Sequence, residues 1–369
     1  MRSRLTRWVD ALSRGFYARR RAAAQRAHFL KRFVGFDFSK PVAGEEQHRR
    51  KWSPLASGQV DPMYYRLYAS VSGYQSPDFV PEDIYVNRLL PVLNDRSRDV
   101  IFRDKNLLSM FVGEEAVPRI FLRNIDGRWL GADFSPVRDV VGLLRRLAGE
   151  HEMLIAKPAI DSAAGKGIQL LVSDGRAFRT SGGSEISQKT LLQSYGANFL
   201  IQERIRPSPA TPAFGSSALN TVRAYTYRSF ADDAIHVVAT AYRVGGLDSF
   251  VDNFSAGGVA AGVDSRGNLT PFALNKTGQT QTHINGQDLD AGVSIPRYSE
   301  FPEFAKNTAS RFPYNRFLGL DLVRDSNEKM RLIEANVGHI GIGMPQLLGQ
   351  PLFNAYTDEL IAHAALSKR

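Results

Sequence analysis

Residues 317–338 read FLGLDLVRDSNEKMRLIEANVG, and this stretch predicts a β-hairpin that carries three oxygen-bearing side chains. Apolar residues flank Asp321, a polar turn follows, and a second apolar run leads to Glu334. Side chains alternate between the faces of a strand, so Glu334 and Asn336 share a face, and a paired strand can place Asp321 opposite them. Carboxylate and amide oxygens suit Mg²⁺, so the hairpin predicts a metal-nucleotide site at these three residues. A hairpin with unrelated surface carboxylates is the alternative.

Composition and charge narrow the class of protein. The 369 residues include no cysteine, which excludes disulfides, thiolate nucleophiles and thiolate metal sites and favours a cytoplasmic protein. Residues 1–51 hold 14 Lys and Arg against 4 Asp and Glu, while the remainder holds 33 of each. The basic charge therefore belongs to an N-terminal arm, and no nucleic-acid partner is expected.

Within this arm, apolar residues recur at helical spacing between arginines and predict a basic amphipathic helix. An anionic membrane surface would suit such a helix, which would make the protein peripheral at the inner face of the membrane. A helix packed on the body and a transit peptide are the alternatives. The apolar stripe comprises Leu5, Trp8, Val9, Leu12 and Phe16.

Residues 153–172, MLIAKPAIDSAAGKGIQLLV, predict two strands joined by a loop of small residues. Such a loop lets backbone amides approach a triphosphate, and Lys157 ends the strand beside it. The candidate phosphate contacts in the loop are Ser162, Gly165, Lys166 and Gly167. The loop lacks the ending of a Walker P-loop, and a plain glycine-rich hairpin is the alternative.

Other segments supply further candidates. Asp104 is predicted to cap a helix with Lys105 in its first turn, where a cation is unfavourable unless a phosphate lies near; a surface lysine is the alternative. Gln202 and Glu203 end a predicted strand that would suit adenine. Arg223, on a strand face, is a candidate clamp for phosphate or carboxylate. Two further candidates are Asp252, in a small-residue loop, and His283, in a segment predicted to cover a substrate.

Taken in chain order, these residues resemble the ATP-grasp superfamily, and most closely its sugar-transfer associated branch, related to the α-L-glutamate ligases. The anchor is the superfamily's Asp, then Glu-x-Asn signature, present as Asp321, Glu334 and Asn336. The supporting motifs are Asp104-Lys105, Lys157-Pro158 with its glycine loop, Gln202-Glu203, Asn220 to Arg223, Leu89 to Asn94 and the Asp252 loop. The chain departs from the branch at two pairs of residues: it has His283-Ile284 where the branch has His-Pro, and Pro296-Arg297 where the branch has Pro and an aromatic residue. The part of the site that binds the acceptor substrate is therefore in doubt.

The resemblance, which covers about Asp61 to Leu366, implies an α+β, ATP-grasp fold. Two α+β subdomains would clasp ATP, preceded by a basic helical N-terminal arm. The expected divisions are an arm at 1–60, a helical segment at 61–117, a lid subdomain with the glycine loop at 118–205, and a C-terminal subdomain with the metal site at 206–369. Lys105 and Lys157 would bind the phosphates, Gln202 and Glu203 the adenine, and the three hairpin residues Mg²⁺.

The implied activity is an ADP-forming carboxylate-amine ligase that works through an acyl phosphate. Lys157, Arg223, Asp252 and His283 are the candidate catalytic residues, and a cell-surface saccharide or its precursor is one substrate suggested by the branch. A kinase that phosphorylates a hydroxyl, with Asp252 or His283 as the base, is one alternative. A non-catalytic nucleotide-binding protein is the other.

Overall fold

The computed structural model describes residues 20, 23–56, 58–95, 97–160, 165–216, 218–247, 254, 257–338 and 340–367. The predicted amphipathic helix at the N-terminus, Ser162 and Asp252 lie outside these residues. No helix in the described ranges is both long enough and apolar enough to cross a bilayer.

The first sheet has six antiparallel strands in the order β2-β1-β6-β3-β4-β5. Helices Val140–Glu150 and Gln188–Tyr195 pack their apolar side chains on it, including Leu144, Leu147 and Leu191. The strands are β1 (Ile120–Ile125), β2 (Arg128–Leu130), β3 (Met153–Pro158), β4 (Gln169–Ser173), β5 (Phe178–Thr180) and β6 (Phe199–Glu203).

The second sheet has seven antiparallel strands in the order β11-β10-β9-β8-β7-β14-β15, and two short strands, β12 and β13, pair separately. The predicted hairpin is confirmed as β14 and β15. The strands are β7 (Thr221–Arg228), β8 (Ile235–Val244), β9 (Val259–Val263), β10 (Leu269–Asn275), β11 (Thr280–Gln281), β12 (His283–Ile284), β13 (Gln287–Asp288), β14 (Phe317–Arg324) and β15 (Met330–Asn336).

Helices cover both faces of the second sheet. Helix Glu300–Ala309 packs on the face that carries Val222 and Leu320, while Tyr225, Tyr227 and Phe317 face a larger helical layer. The remaining α-helices are 23–32, Glu45–Trp52, Met63–Ser72, Glu82–Ile84, Leu90–Leu93, Asp99–Arg103, Leu108–Val112, Gly343–Leu347 and Thr357–Leu366, with a π-helix at Tyr85–Leu89 and 3-10 turns at Ser53–Leu55, Glu114–Ala116 and Asn354–Tyr356.

The described part of the predicted arm belongs to this layer. Phe29, Phe33 and Trp52 are fully buried against Tyr64 and Tyr68, so residues 23–55 pack on the body. Burial of large aromatic side chains stabilises such a layer, at about 25 cal/mol for each Å² of apolar surface removed from water.

Candidate functional site

Strand alternation and register gather the hairpin residues on one face of the second sheet. Asp321 pairs with Glu334, and Gly319 pairs with Asn336 two residues further along. Register then shifts so that Leu322 pairs with Leu332, leaving a β-bulge at Ile333, a feature common beside functional sites. This face also carries Tyr225 and Phe317, but the helical layer covers those positions and leaves the polar end of the strands for the site.

Asp321 is buried and held by two arginines. Arg223, opposite it on β7, donates from Nε to Asp321 Oδ1 at 2.5 Å and from Nη2 to Oδ2 at 2.9 Å. Arg243 on β8 donates from Nη1 to Oδ1 at 2.9 Å. Burial acts to raise the pKa of Asp321, but the two guanidinium groups outweigh it and hold that pKa below its ordinary value.

Arg243 belongs to the site but was not predicted from the sequence. A signal was present, because an arginine near the end of the otherwise mostly apolar strand IHVVATAYRV is expected to have an ionic partner. Gly319 makes room for this cluster: a Cβ there would lie 3.1 Å from Arg223 Nη1 and 3.2 Å from the side chain of Ile340. Any larger residue at position 319 would therefore press on the Arg223 guanidinium.

Lys105 reaches the hairpin from another part of the chain. Its Nζ lies 3.1 Å from Glu334 Oε1, and its backbone N–H donates to Ala159 O at 2.9 Å, just beyond the end of β3. The predicted helix cap at Asp104 is wrong: helix Asp99–Arg103 ends there, and Asp104 Oδ1 accepts from Asn106 N–H at 2.9 Å. Because this side chain closes a local turn, Lys105 lies between two helices rather than in a first turn.

Lys157, at the end of β3, is buried. Burial, and to a lesser extent the positive charge of Lys105, lower the pKa of Lys157 to about 8, with Glu334 opposing both. Lys105 and Glu334 are therefore close enough to affect the charge of Lys157, so two lysines and one hairpin carboxylate lie near one another. A buried ammonium of this kind is well suited to bind an anion.

The glycine loop is described from Gly165 onwards. Gly165 and Gly167 both adopt positive φ, 67° and 77°, a conformation that L side chains rarely adopt. At Gly167 a Cβ would also lie 2.9 Å from Pro158 Cγ, so glycine lets the loop close on the end of β3. Lys166 is exposed between them.

Gln202 and Glu203 end β6, next to β3 in the first sheet. Gln202 is buried, and the backbone N–H of Glu203 donates to Arg119 O at 2.8 Å. Glu203 Oε1 is buried and receives no hydrogen bond from the part of the chain that the structure describes. An acceptor left in this state fits a ligand with N–H or O–H donors, such as a nucleoside.

The donor set of the hairpin fits a divalent cation. The Glu334 side chain is 35% exposed, and Asn336 Nδ2 donates to Gly319 O at 3.1 Å, which leaves the amide oxygen as an acceptor. In the described ranges, no group of three or more His, Asp or Glu side chains is placed to hold a metal ion. A cation here would take two carboxylates and one amide oxygen, completed by phosphate oxygens and water, as Mg²⁺ commonly does.

His283 lies apart from these groups in the contacts that the structure records. It is exposed on β12, where its Nδ1 lies 3.0 Å from Thr282 Oγ1. The segment predicted to cover a substrate forms the small β12–β13 hairpin, anchored through buried Ile284 and through Asn285 Nδ2, which donates to Phe214 O at 2.9 Å.

Comparison with known proteins places the chain in a family. The sequence profile of the family described as sugar-transfer associated ATP-grasp matches residues 85–358. A search of curated proteins finds no match to the chain.

Several solved structures are similar to this chain at low sequence identity. The ATP-grasp ligase PsnB complexed with minimal precursor is 14% identical, with 73% of this chain and 62% of that chain covered and a TM-score of 0.38. The D-alanine-D-alanine ligase from Coxiella burnetii is 10% identical, with 73% and 60% covered and a TM-score of 0.40. The biotin carboxylase domain of the Hydrogenobacter thermophilus 2-oxoglutarate carboxylase is 11% identical, with 73% and 46% covered and a TM-score of 0.39. The chain thus spans about three fifths of the length of the first two.

Proposed function

Because this chain belongs to the sugar-transfer associated ATP-grasp family, we propose that it is an ATP-dependent, ADP-forming carboxylate-amine ligase. The observation that carries the proposal is the 3.1 Å contact between Lys105 Nζ and Glu334 Oε1, with buried Lys157 beside both. This contact joins Lys105 to one acid of the hairpin, and the electrostatic effects of Lys105 and Glu334 on Lys157 connect both to the strand that leads into the glycine loop. A Mg-triphosphate needs both kinds of group at one place.

The chain's own residues would act mainly by positioning and by neutralising charge. Lys105 and Lys157 bind the phosphates. When a phosphate oxygen replaces Glu334 as the partner of Lys105, the Glu334 carboxylate becomes available to the cation. Asp321, Glu334 and Asn336 would hold Mg²⁺, which would neutralise charge on the phosphate oxygens. Glu203 accepts a hydrogen bond from the nucleoside, and the loop around Gly167 covers the phosphates.

The reaction then proceeds in two balanced steps. A substrate carboxylate oxygen attacks the γ-phosphorus, the bond to the bridging oxygen breaks, and ADP leaves with that electron pair. The amine nitrogen next attacks the acyl carbon, the carbon–oxygen bond to phosphate breaks, and the amine loses a proton to solvent. Arg223, whose two parallel N–H donors hold Asp321 in this structure, would neutralise the acyl phosphate.

We further propose that one of the two substrates is a saccharide. A saccharide-linked carboxylate or amine is supported by the family's description alone. Parallel assays with free amino acids and with amino sugars or uronic acids would test it. Turnover confined to the free amino acids would remove the saccharide.

A contact between residues 1–51 and an anionic membrane is a separate proposal. It is supported by the 14 basic residues of this segment, although the described part from residue 23 onwards packs on the body. Flotation with anionic vesicles, with and without residues 1–19, would test it, and equal flotation of both forms would contradict it.

Incubation with ATP, Mg²⁺ and pairs of carboxylates and amines tests the ligase assignment. ADP and free phosphate should form only when both substrates are present. Glu334→Gln serves as the inactive control, and Arg206→Gln, which alters an exposed ion pair with Glu152, serves as the active control. Formation of AMP would contradict the acyl-phosphate route. A stable phosphoester product would favour a kinase. Absence of thermal stabilisation by Mg-ATP would favour a non-catalytic protein.

A further inference from the structure

Two guanidinium groups converge on the single carboxylate of Asp321. Arg243, Arg223 and Asp321 lie on the neighbouring strands β8, β7 and β14, and their side chains are 12%, 13% and 6% exposed. The register places all three on the face that also carries Glu334. The cluster is therefore part of the candidate site and lies beside the proposed metal ligands.

The arginines and a divalent cation need the same lone pairs. A carboxylate offers about four acceptor positions. Three of those on Asp321 are used, and both on Oδ1 are taken, by Arg223 Nε and Arg243 Nη1. A cation at Asp321 would also repel the two guanidinium charges at short range. Cation binding and the two-arginine contact must therefore weaken one another.

The geometry of the pair shows which chemistry it recognises. Arg223 holds Asp321 through two parallel N–H donors, the arrangement by which arginine binds a carboxylate or a phosphate. Arg243 adds a donor from the neighbouring strand. The three donors thus already form a site for an oxyanion, and Asp321 is the oxyanion within it.

We propose that Asp321 occupies, until a divalent cation binds, an oxyanion site that Arg223 and Arg243 provide for the reacting substrate group. That group is the acceptor carboxylate or the phosphoryl group transferred to it. When the cation takes Asp321, the arginines pass to the substrate, and Arg243 becomes a second binding residue on the acceptor side. This inference rests on the proposed ligase function and deepens it.

The inference predicts positive coupling between cation and anion. A cation that releases the arginines strengthens anion binding, and by linkage the anion strengthens cation binding by the same factor. The mutual effect should be about 10-fold, within the usual range for coupled sites. It should be smaller when Arg243 is lost, because Arg223 then supplies only two of the three donors.

Calorimetric titration with inorganic phosphate and with acetate, in the presence of ADP with either Mg²⁺ or EDTA, measures this coupling. In the wild type, Mg²⁺ should tighten binding of one of the two anions about 10-fold. If that anion is phosphate, the two arginines bind the phosphoryl group; if it is acetate, they bind the acceptor carboxylate. Arg243→Gln should reduce the effect to about 3-fold. Arg228→Gln, which alters an ion pair with the largely exposed Asp233, should keep it in full. Full coupling in Arg243→Gln would overturn the proposal.

A second comparison needs neither metal nor nucleotide. Asp321→Asn removes the internal anion, so phosphate or acetate in EDTA should bind this variant about 10-fold more tightly than the wild type. Arg243→Gln in the same chain should reduce this gain to about 3-fold. Equal binding to the folded variant and the wild type would overturn the proposal. If the variant does not fold, the comparison of wild type with Arg243→Gln still decides. Failure of ADP to bind with Mg²⁺ would count against the ligase function alone, since the nucleotide-free comparison is independent of it.

Discussion

The two sheets supply charge to the candidate site in different ways. In the second sheet, Arg223 and Asp321 are opposite one another on paired strands, so cation and anion are compensated within the sheet. In the first sheet, Lys157 ends its strand, and the described charges that act on it are Lys105 and Glu334 from other elements. The protonation of Lys157 therefore depends on charged groups from other elements, whereas the charge of Asp321 is stabilised by arginines of its own sheet.

The pKa values follow the same contrast. Burial dominates at Lys157 and lowers its pKa from 10.5 to about 8, which corresponds to about 3 kcal/mol against the charged form. At Asp321 the arginines overcome burial and favour the charged form. A buried charge without a close partner is costly for the fold but is available to a ligand. The first sheet should therefore be the more sensitive to nucleotide and the second the more sensitive to loss of an ion pair.

Lys157→Met should have the largest effect on activity and leave the fold intact. Loss of one cation on the phosphates should lower kcat/KM about 10²–10³-fold, as for other preorganised electrostatic contacts. Stability should be unchanged or higher by up to about 3 kcal/mol, because the buried charge is removed. Steady-state kinetics and urea unfolding measure the two quantities. A strongly destabilised variant would show that Lys157 has a structural partner.

Arg223→Met should behave in the opposite way with respect to stability. It leaves the buried Asp321 carboxylate with Arg243, so the free energy of unfolding should fall by about 3 kcal/mol. Urea unfolding at pH 7 measures this loss. A stability equal to that of Lys157→Met would remove the distinction between the two sheets.

Glu334→Gln tests the connection between the sheets. The variant should bind Mg²⁺ at least about 10-fold more weakly in the presence of ADP, since a carboxylate ligand is lost. It should also lower the pKa of Lys157 further, because Glu334 opposes the effect of burial there. Magnesium titration followed by thermal stabilisation measures the first effect. Unchanged affinity would exclude Glu334 as a ligand.

The lowered pKa of Lys157 predicts a pH dependence. Between pH 8 and 10.5 the unfolded state holds more protons at this group than the folded state, so stability from this residue rises with pH across that window. Nucleotide binding has the opposite sign, since phosphates need the charged lysine. Affinity for Mg-ADP should be about 30-fold weaker at pH 9.5 than at pH 7, and this difference should be absent in Lys157→Met. An equal decline in the variant would assign the effect to another group.

Ser187→Ala should have the smallest effect and serves as a control in the first sheet. Ser187 caps helix Gln188–Tyr195 by accepting from Thr190 N–H at 3.2 Å. Its loss should lower stability by about 1 kcal/mol, and nucleotide affinity should not change. A change in affinity would indicate that this helix sets the position of the first sheet over the second.

Much of the candidate site followed from local patterns. Alternation around Asp321 predicted the hairpin and the shared face of Glu334 and Asn336, because a strand has a period of two whatever surrounds it. Gly167 was predicted to lie in a loop of small residues, and it has the positive φ that only glycine tolerates easily. The position of Lys105 was predicted wrongly, since a side-chain turn at Asp104 displaced the expected helix start.

The sequence by itself determined which residues can bear charge and which share a strand face, since both depend on residue type and backbone period. Only the tertiary structure decided that Arg243 and Arg223 meet at Asp321, residues that are 78 and 98 positions away from it in the chain. Register between strands that are distant in sequence depends on packing of the whole sheet, which no local pattern specifies. The low pKa of Lys157 likewise arises from burial, which exists only when the two sheets and their helices have assembled.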